Sequence, residues 1–412
     1  MTRFQNIISN AIKEAVSDIY LIGGHPMVSR KRGIIQFYME IKWSHKEIDD
    51  LVRKLLNDRQ LDALRQRKSL DFAMSASNAR LRINVFTTAR GLSLAIRILP
   101  GHIPTIDELN LHPSLHEISK IESGLVLTCG ATGVGKTATV AAIINDINRT
   151  RQSHIITLEN PIEFRFQSNK SLIQQRELDT HMPSFAHGLL DALRENPDVV
   201  VVGEMRERET MHLTLNAAEA GQLVIATMHA SSPEEAIHRL CNSVPISAQD
   251  EIRYQIASTL KWLIIQQLVY MKNIGFRVPL LTIVRGNQSI KSIIRENKLH
   301  QINSTIQMGK NDGMFTAERY LSDYLENCQT FTPYEKTFRP SAETTQDIVY
   351  QSPLMEEKPE ITPFKKRHAS GAEIGPIIVR NQLSNDEMEL MLTIDEDASL
   401  QELVSKLDIR EN

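Results

Sequence analysis

Gly130-Ala131-Thr132-Gly133-Val134-Gly135-Lys136-Thr137 has the spacing G-x-x-x-x-G-K-T and runs through Ala138 into the helix-forming stretch TVAAIINDI. A loop of this kind, between a strand and a helix, binds the phosphates of a nucleoside triphosphate. Gly130, Gly133 and Gly135 allow the backbone to turn its N–H groups onto phosphate oxygens, and the helix behind them points its positive end at the same place. Lys136 is placed to reach the β- and γ-phosphates. The Thr137 hydroxyl is a candidate ligand for Mg²⁺.

Hydrolysis also needs a group that orients or deprotonates water and one that holds the water shell of the metal. Two strands offer acids. ITLENPIEF, residues 156–164, carries Glu159 at the strand end and Glu163 four residues on. VVVVGEMRERET, residues 199–210, is a buried-strand pattern that ends in Gly203 and Glu204. A carboxylate at the end of such a strand is costly unless it meets a cation, and phosphate-bound Mg²⁺ is that cation. Gly203 stands where many phosphate-loop enzymes carry aspartate.

The elements that must position these residues read as an α/β protein. From about residue 120, short apolar strands (124–129, 154–158, 199–202, 223–228) alternate with helices, as a mostly parallel sheet requires. This motor-type domain is expected over 118–328. Residues 1–100 read as a smaller α/β domain with strands at 19–22, 33–38, 81–86 and 92–98. Its helix over 44–66 opens on the capping box Ser44-x-x-Glu47. Prolines 100 and 104 break periodicity, so 101–117 reads as a linker. Residues 329–412 are rich in Pro, Ser, Thr and charge and read as mostly disordered, with a short terminal helix over about 383–408 as an option.

Bulk properties exclude several classes. The chain has 412 residues, 41% of them hydrophobic, enough for more than one core. A net charge of -3 and 5% aromatic residues offer little for wrapping or stacking on nucleic acid, and none is expected as a partner. Cys129, Cys241 and Cys328 lie far apart and suggest neither a disulfide framework nor a zinc site, which fits a reduced compartment. No apolar stretch reaches the roughly 18 residues of a membrane span.

Together these motifs resemble the motor ATPases of type II secretion and type IV pilus systems, most closely the retraction branch. The resemblance covers about residues 10–325 and rests on GATGVGKT, LENPIEF (the family's Asp box), LRENPDVVVVGEMRERET (its Walker B signature) and GQLVIATMHASS (its His box). It extends to RINVFTTARGLSLAIRILPGHIPTIDEL and to SIKSIIREN, a segment like the carboxy-terminal part of retraction motors, with Ile290, Ile293, Ile294 and Leu299 on one face.

The resemblance implies a homohexameric ring whose subunits pair an amino-terminal PAS-like domain with a RecA-like P-loop domain and hydrolyse ATP with Mg²⁺. It implies Glu163 as general base, Glu204 acting with the metal and its water, and His229 sensing the γ-phosphate or linking sites. Arg82 and Arg97 are implied to reach a neighbour's phosphates. The ring would sit in the cytoplasm, peripheral to the inner membrane, on a pilus platform protein that it turns to retract the filament. Two other roles are compatible with it: an accessory ring with weak hydrolysis dependent on a paralogous motor, and a type IV secretion ATPase.

The departures are specific. Val134 replaces a small polar residue, Asn160 an aspartate of the Asp box, Gln222 a histidine of the His box and Glu207 an aspartate of the Walker B signature; Tyr20 stands where histidine is usual. Since Lys136, Glu163 and Glu204 remain, hydrolysis is expected to survive in a divergent motor.

Overall fold

The strand Ala79–Thr88, ARLRINVFTT, alternates apolar and polar residues, and its two faces have different surroundings. Ala79, Leu81, Ile83 and Val85 are buried, whereas Arg80, Arg82 and Asn84 lie on the opposite face, as the two-residue period of a strand demands. It belongs to an antiparallel sheet of six strands: β1 (Asp18–Ile22), β2 (Pro26–Lys31), β3 (Ile34–Lys42), β4 (Ser69–Ala76), β5 (Ala79–Thr88) and β6 (Gly91–Leu99). Their order is β3-β2-β1-β6-β5-β4. Helices α1 (Thr2–Lys13), α2 (His45–Leu55) and α3 (Asp58–Arg67) supply Phe4, Ile8, Ile48, Leu51 and Leu64 to the core formed with Leu21, Leu81 and Ile83.

This computed structural model describes residues 2–333 except Ala15, Arg32, Gly33, Asn78 and Pro100. The expected disorder and terminal helix beyond residue 333 lie outside the described residues. Of the tail's first residues, Thr332 exchanges two hydrogen bonds with Asn110, at 2.7 and 2.9 Å.

The helix expected over 44–66 is two helices. Ser44 and Glu47 do form the capping box that starts α2. At Leu56, however, the backbone is extended, and Asn57 makes a second capping box with Gln60 to start α3. The asparagine side chain satisfies the new helix end locally, so continuing the first helix has no advantage.

The second sheet has seven strands: β7 (Gly124–Cys129), β8 (His154–Glu159), β9 (Leu172–Glu177), β10 (Val199–Val202), β11 (Leu223–Met228), β12 (Leu260–Met271) and β13 (Phe276–Arg285). The order is β13-β12-β7-β11-β10-β8-β9, and every neighbouring pair is parallel except β12 with β13. Every residue of β7, β10 and β11 is buried, because packed layers cover both faces of the sheet. On one face lies α4 (Lys136–Thr150), with Ile106, Leu109, Leu111 and Leu115 from the 101–117 stretch buried in the same core. On the other lie α5 (Phe185–Leu193), α6 (Arg208–Glu219), α7 (Pro233–Cys241), α8 (Gln249–Thr259) and α9 (Gln288–Arg295). Ile290, Ile293, Ile294 and Leu299 are all buried in this second core.

The strand ends are level. Met228 stands beside Cys129, and Val202 beside both Leu158 and Ala226. The residues that follow β7, β8, β10 and β11 therefore emerge together at one edge of the sheet, the carboxyl edge where ligands of open α/β sheets bind.

Candidate active site

The phosphate loop leaves β7 and enters α4. Gly130, Gly133 and Gly135 have φ of 148, 82 and 91°, a region that side chains other than glycine's rarely adopt. Gly130 has a second constraint: a Cβ there would lie 2.3 Å from the Gln266 carbonyl oxygen of β12. Gln266, 1% exposed, also braces the loop with its side chain. Its amide donates to the Val134 carbonyl at 2.7 Å and its oxygen accepts from the Thr139 hydroxyl at 2.7 Å.

Ala131, Thr132, Gly133, Gly135 and Thr137 are exposed, Val134 is half-buried and Ala138 is buried. Val134 meets the rest of the protein through its backbone carbonyl, and its side chain lies beside Gly130. Lys136 curls over the loop and donates to the Gly130 and Ala131 carbonyls at 2.8 and 2.9 Å. Burial holds its pKa below the ordinary lysine value, and the negative charge of Glu204 opposes that shift.

Glu204 follows β10 by two residues. A Cβ on Gly203 would come within 2.9 Å of the Leu158 carbonyl oxygen and 3.3 Å of the Glu159 Cα, so β8 leaves no room for the aspartate that many phosphate-loop enzymes carry there. The Gly203 N–H donates to that same carbonyl at 2.8 Å, and the Thr227 hydroxyl donates to the Gly203 carbonyl. Glu204 is thereby held by both neighbouring strands. Its Oε2 lies 2.6 Å from Arg206 Nη2 and its Oε1 2.6 Å from His229 Nε2. Burial raises its pKa, but Arg206, His229 and Lys136 outweigh this and leave it below the usual carboxylate value. Oε1 is buried without a hydrogen bond of acceptable geometry. An anionic, under-satisfied oxygen near Lys136 fits the water shell of a divalent cation.

Glu163 lies on the loop between β8 and β9. The Thr137 hydroxyl of the phosphate loop lies near enough to favour its ionised form. Burial pushes its pKa up, against the pull of Arg82, Arg97 and the Thr137 hydroxyl. Both arginines come from the six-stranded sheet. Arg82 Nη1 stands 3.5 Å from Glu163 Oε1, while Arg97 pairs with Asp18 at 2.9 Å. Arg82 and Arg97 face each other directly across β5 and β6, a repulsive arrangement unless anions offset it. Asp71, 3.7 Å from Arg82, joins Asp18 and Glu163 in doing so.

Glu159 accepts from the Thr157 hydroxyl at 2.6 Å and the Gln175 amide at 2.9 Å, and burial pushes its pKa up to about 7. Asn160 follows it. Gln175 also donates to the Phe164 carbonyl and accepts from the Phe166 N–H, at 2.8 and 2.9 Å. Gln175 and Gln266 escape a reading based on motifs. The signal available for Gln266 is a polar pair inside the apolar run LIIQQLV.

A glycine-rich loop from strand to helix ending in Lys136 and Thr137, with Glu163 and Glu204 at the same carboxyl edge of a parallel sheet, is the arrangement of a P-loop ATPase. The chain belongs to the type II/IV secretion system protein family, whose profile matches residues 2–309. It is 40% identical to the Escherichia coli protein YggR over 316 residues, 76% of this chain and 96% of that protein. It is 35% identical to the type IV pilus retraction ATPase PilT of Pseudomonas aeruginosa over 76% of this chain and 92% of PilT. The crystal structure of the pilus retraction motor PilT with bound ADP superposes with a TM-score of 0.72, at 34% identity over 82% of this chain and 97% of that one. Among the described residues no helix is long and apolar enough to cross a membrane.

Proposed function

We propose that the chain is a Mg-ATP-driven motor for type IV pilus retraction, working as a ring of six at the cytoplasmic face of the inner membrane, on a platform protein. The observation that carries this reading is the Arg82–Glu163 pair, because it joins the hydrolytic edge of one sheet to a strand of the other. Any change of charge at the phosphates then acts on the placement of the two sheets, as a motor requires. PilT and its ADP-bound structure support the choice of filament retraction.

In this reading the loop from Gly130 to Ala138 binds ATP, with Lys136 leaving its carbonyl partners for the β- and γ-phosphates. Thr137 and Glu204 would hold Mg²⁺, which supplies charge neutralisation on the phosphates. Glu163 takes the proton of the attacking water; its raised pKa strengthens it as a base. His229, placed against Glu204, relays the state of the γ-phosphate. Arg82 and Arg97 lend positive charge to the transferring phosphoryl group of a neighbouring subunit, exchanging their carboxylate partners for it.

A second reading is an accessory ring with weak hydrolysis that depends on a paralogous motor. It is favoured by Asn160, which removes a negative charge beside Glu159. Phosphate release by purified protein with Mg²⁺ and ATP, beside Lys136→Ala and Glu204→Gln, separates the two. The motor reading expects hydrolysis by the wild type alone, and loss of pilus retraction in cells carrying Lys136→Ala. Assembled, ATP-binding wild type that releases no more phosphate than the variants would replace the motor by the accessory ring.

A further inference from the structure

Arg80 precedes Arg82 by two residues, so it projects from the same face of β5 toward the same loop of the other sheet. Its side chain is 10% exposed, and its Nη2 lies 3.5 Å from Oε2 of Glu177, whose side chain is 8% exposed. Between the two lies Ile162, the residue before Glu163. The Ile162 N–H donates to Glu177 Oε2 at 3.0 Å, and the Ile162 carbonyl accepts from Arg80 Nε at 3.4 Å. One ion pair across the two sheets therefore holds both polar groups of a single buried peptide residue.

We infer that Arg80 and Glu177 are positioning residues for hydrolysis, setting the height of the Glu163 carboxylate over the phosphate loop according to where the six-stranded sheet sits. This rests on the reading of Glu163 as the base. A buried ion pair is a poor device for stability alone, because desolvation offsets most of its attraction. Here it supplies direction. Glu177 is held in turn: its backbone N–H donates to His181 Nδ1 at 3.0 Å, and its Oε1 accepts from the Thr180 hydroxyl at 3.4 Å. Arg80 is held by the register of β5 between β4 and β6. The loop that bears Glu163 is thus gripped from both sheets, and a shift of β5 moves Arg82 and the Ile162 peptide together.

The test compares Arg80→Met, Glu177→Gln and the double variant with wild type, following ATP turnover, binding of a fluorescent ATP analogue, and ring assembly by light scattering. Glu177→Gln keeps an acceptor for the Ile162 N–H and removes the charge. We expect kcat to fall about tenfold in each single variant, within the range that small misplacements of a reacting group reach. Analogue affinity and assembly stay within about twofold, and the double variant is no slower than the slower single. If Arg80→Met does not fold, Arg80→Lys carries the same test, with kcat reduced about threefold because the charge remains while the Ile162 bond is lost.

Wild-type kcat in the folded variants overturns the inference, as does a loss of analogue affinity equal to the loss of kcat, or losses that multiply in the double variant. Glu163→Gln, run beside them, tests the base separately. Wild-type turnover in Glu163→Gln removes the base assignment, whereas wild-type turnover in the Arg80 and Glu177 variants removes the positioning role.

Discussion

Arg82 Nη1 lies 3.5 Å from Glu163 Oε1, and the two residues belong to different sheets. The arginine lowers the pKa of a carboxyl group that burial raises. One contact therefore links the chemistry of the phosphate edge to the placement of the six-stranded sheet.

Removing that cation changes the pH profile in a determined direction. In Arg82→Ala the Glu163 carboxyl loses a partner that favours its ionised form, so its pKa rises further. The acid limb of kcat/KM against pH moves to higher pH, and activity falls more at pH 6 than at pH 8. A profile that drops uniformly without moving its acid limb would show that Arg82 does not act on Glu163.

Glu159 gives a stability prediction of opposite sense to the common carboxylate case. Its pKa in the folded protein is about 7, above its unfolded value of about 4.5. Between these pH values the folded state holds the extra proton, so stability falls as pH rises through the window. Glu159→Gln keeps an acceptor for Thr157 and Gln175 and removes the titration. It is expected to be more stable than wild type at pH 8, by up to about 3 kcal/mol, with the gain gone near pH 4. Urea unfolding at the two pH values measures it, and an equal difference at both would rule out Glu159 as its source.

Gln266→Leu keeps the volume and removes both polar contacts to the phosphate loop. The Thr139 hydroxyl and the Val134 carbonyl are left without that partner, at about 1–3 kcal/mol for a buried group. The expected result is a destabilised but folded protein that binds ATP about tenfold more weakly, a difference of about 1.4 kcal/mol. Thermal unfolding and nucleotide titration read the two effects. Unchanged affinity would confine Gln266 to packing.

Gly203→Ala tests why Walker B aspartate is absent. The added methyl would sit 2.9 Å from the Leu158 carbonyl oxygen, so β8 and β10 must separate. Overpacking of this kind costs about 1–3 kcal/mol and displaces Glu204. Folded Gly203→Ala is expected to lose ATP hydrolysis while retaining nucleotide binding through the phosphate loop. Full turnover in this variant would mean that the strand spacing yields without moving Glu204.

Much of the site was legible because its parts are local. The phosphate loop is eight consecutive residues with glycines where positive φ is needed. The valine strand that delivers Glu204 and the R-L-R-I-N-V alternation of β5 declare their faces through periods set by the backbone. The break at Asn57 was also written locally, as a second capping box within an otherwise helical pattern.

What the sequence by itself offered is therefore the local chemistry: a phosphate-loop pattern, the acids that end two strands, and, through the family resemblance, Arg82 and Arg97. The tertiary structure decided the pairings, Gln266 with a loop carbonyl 132 residues away and Arg80 with an Ile162 carbonyl 82 residues away. It also decided that Gly203 is required by a neighbouring strand's carbonyl. The physical reason is that periodicity and turn chemistry act over a few residues, whereas the meeting of two sheets depends on how separately formed cores pack, and no short stretch of chain carries that information.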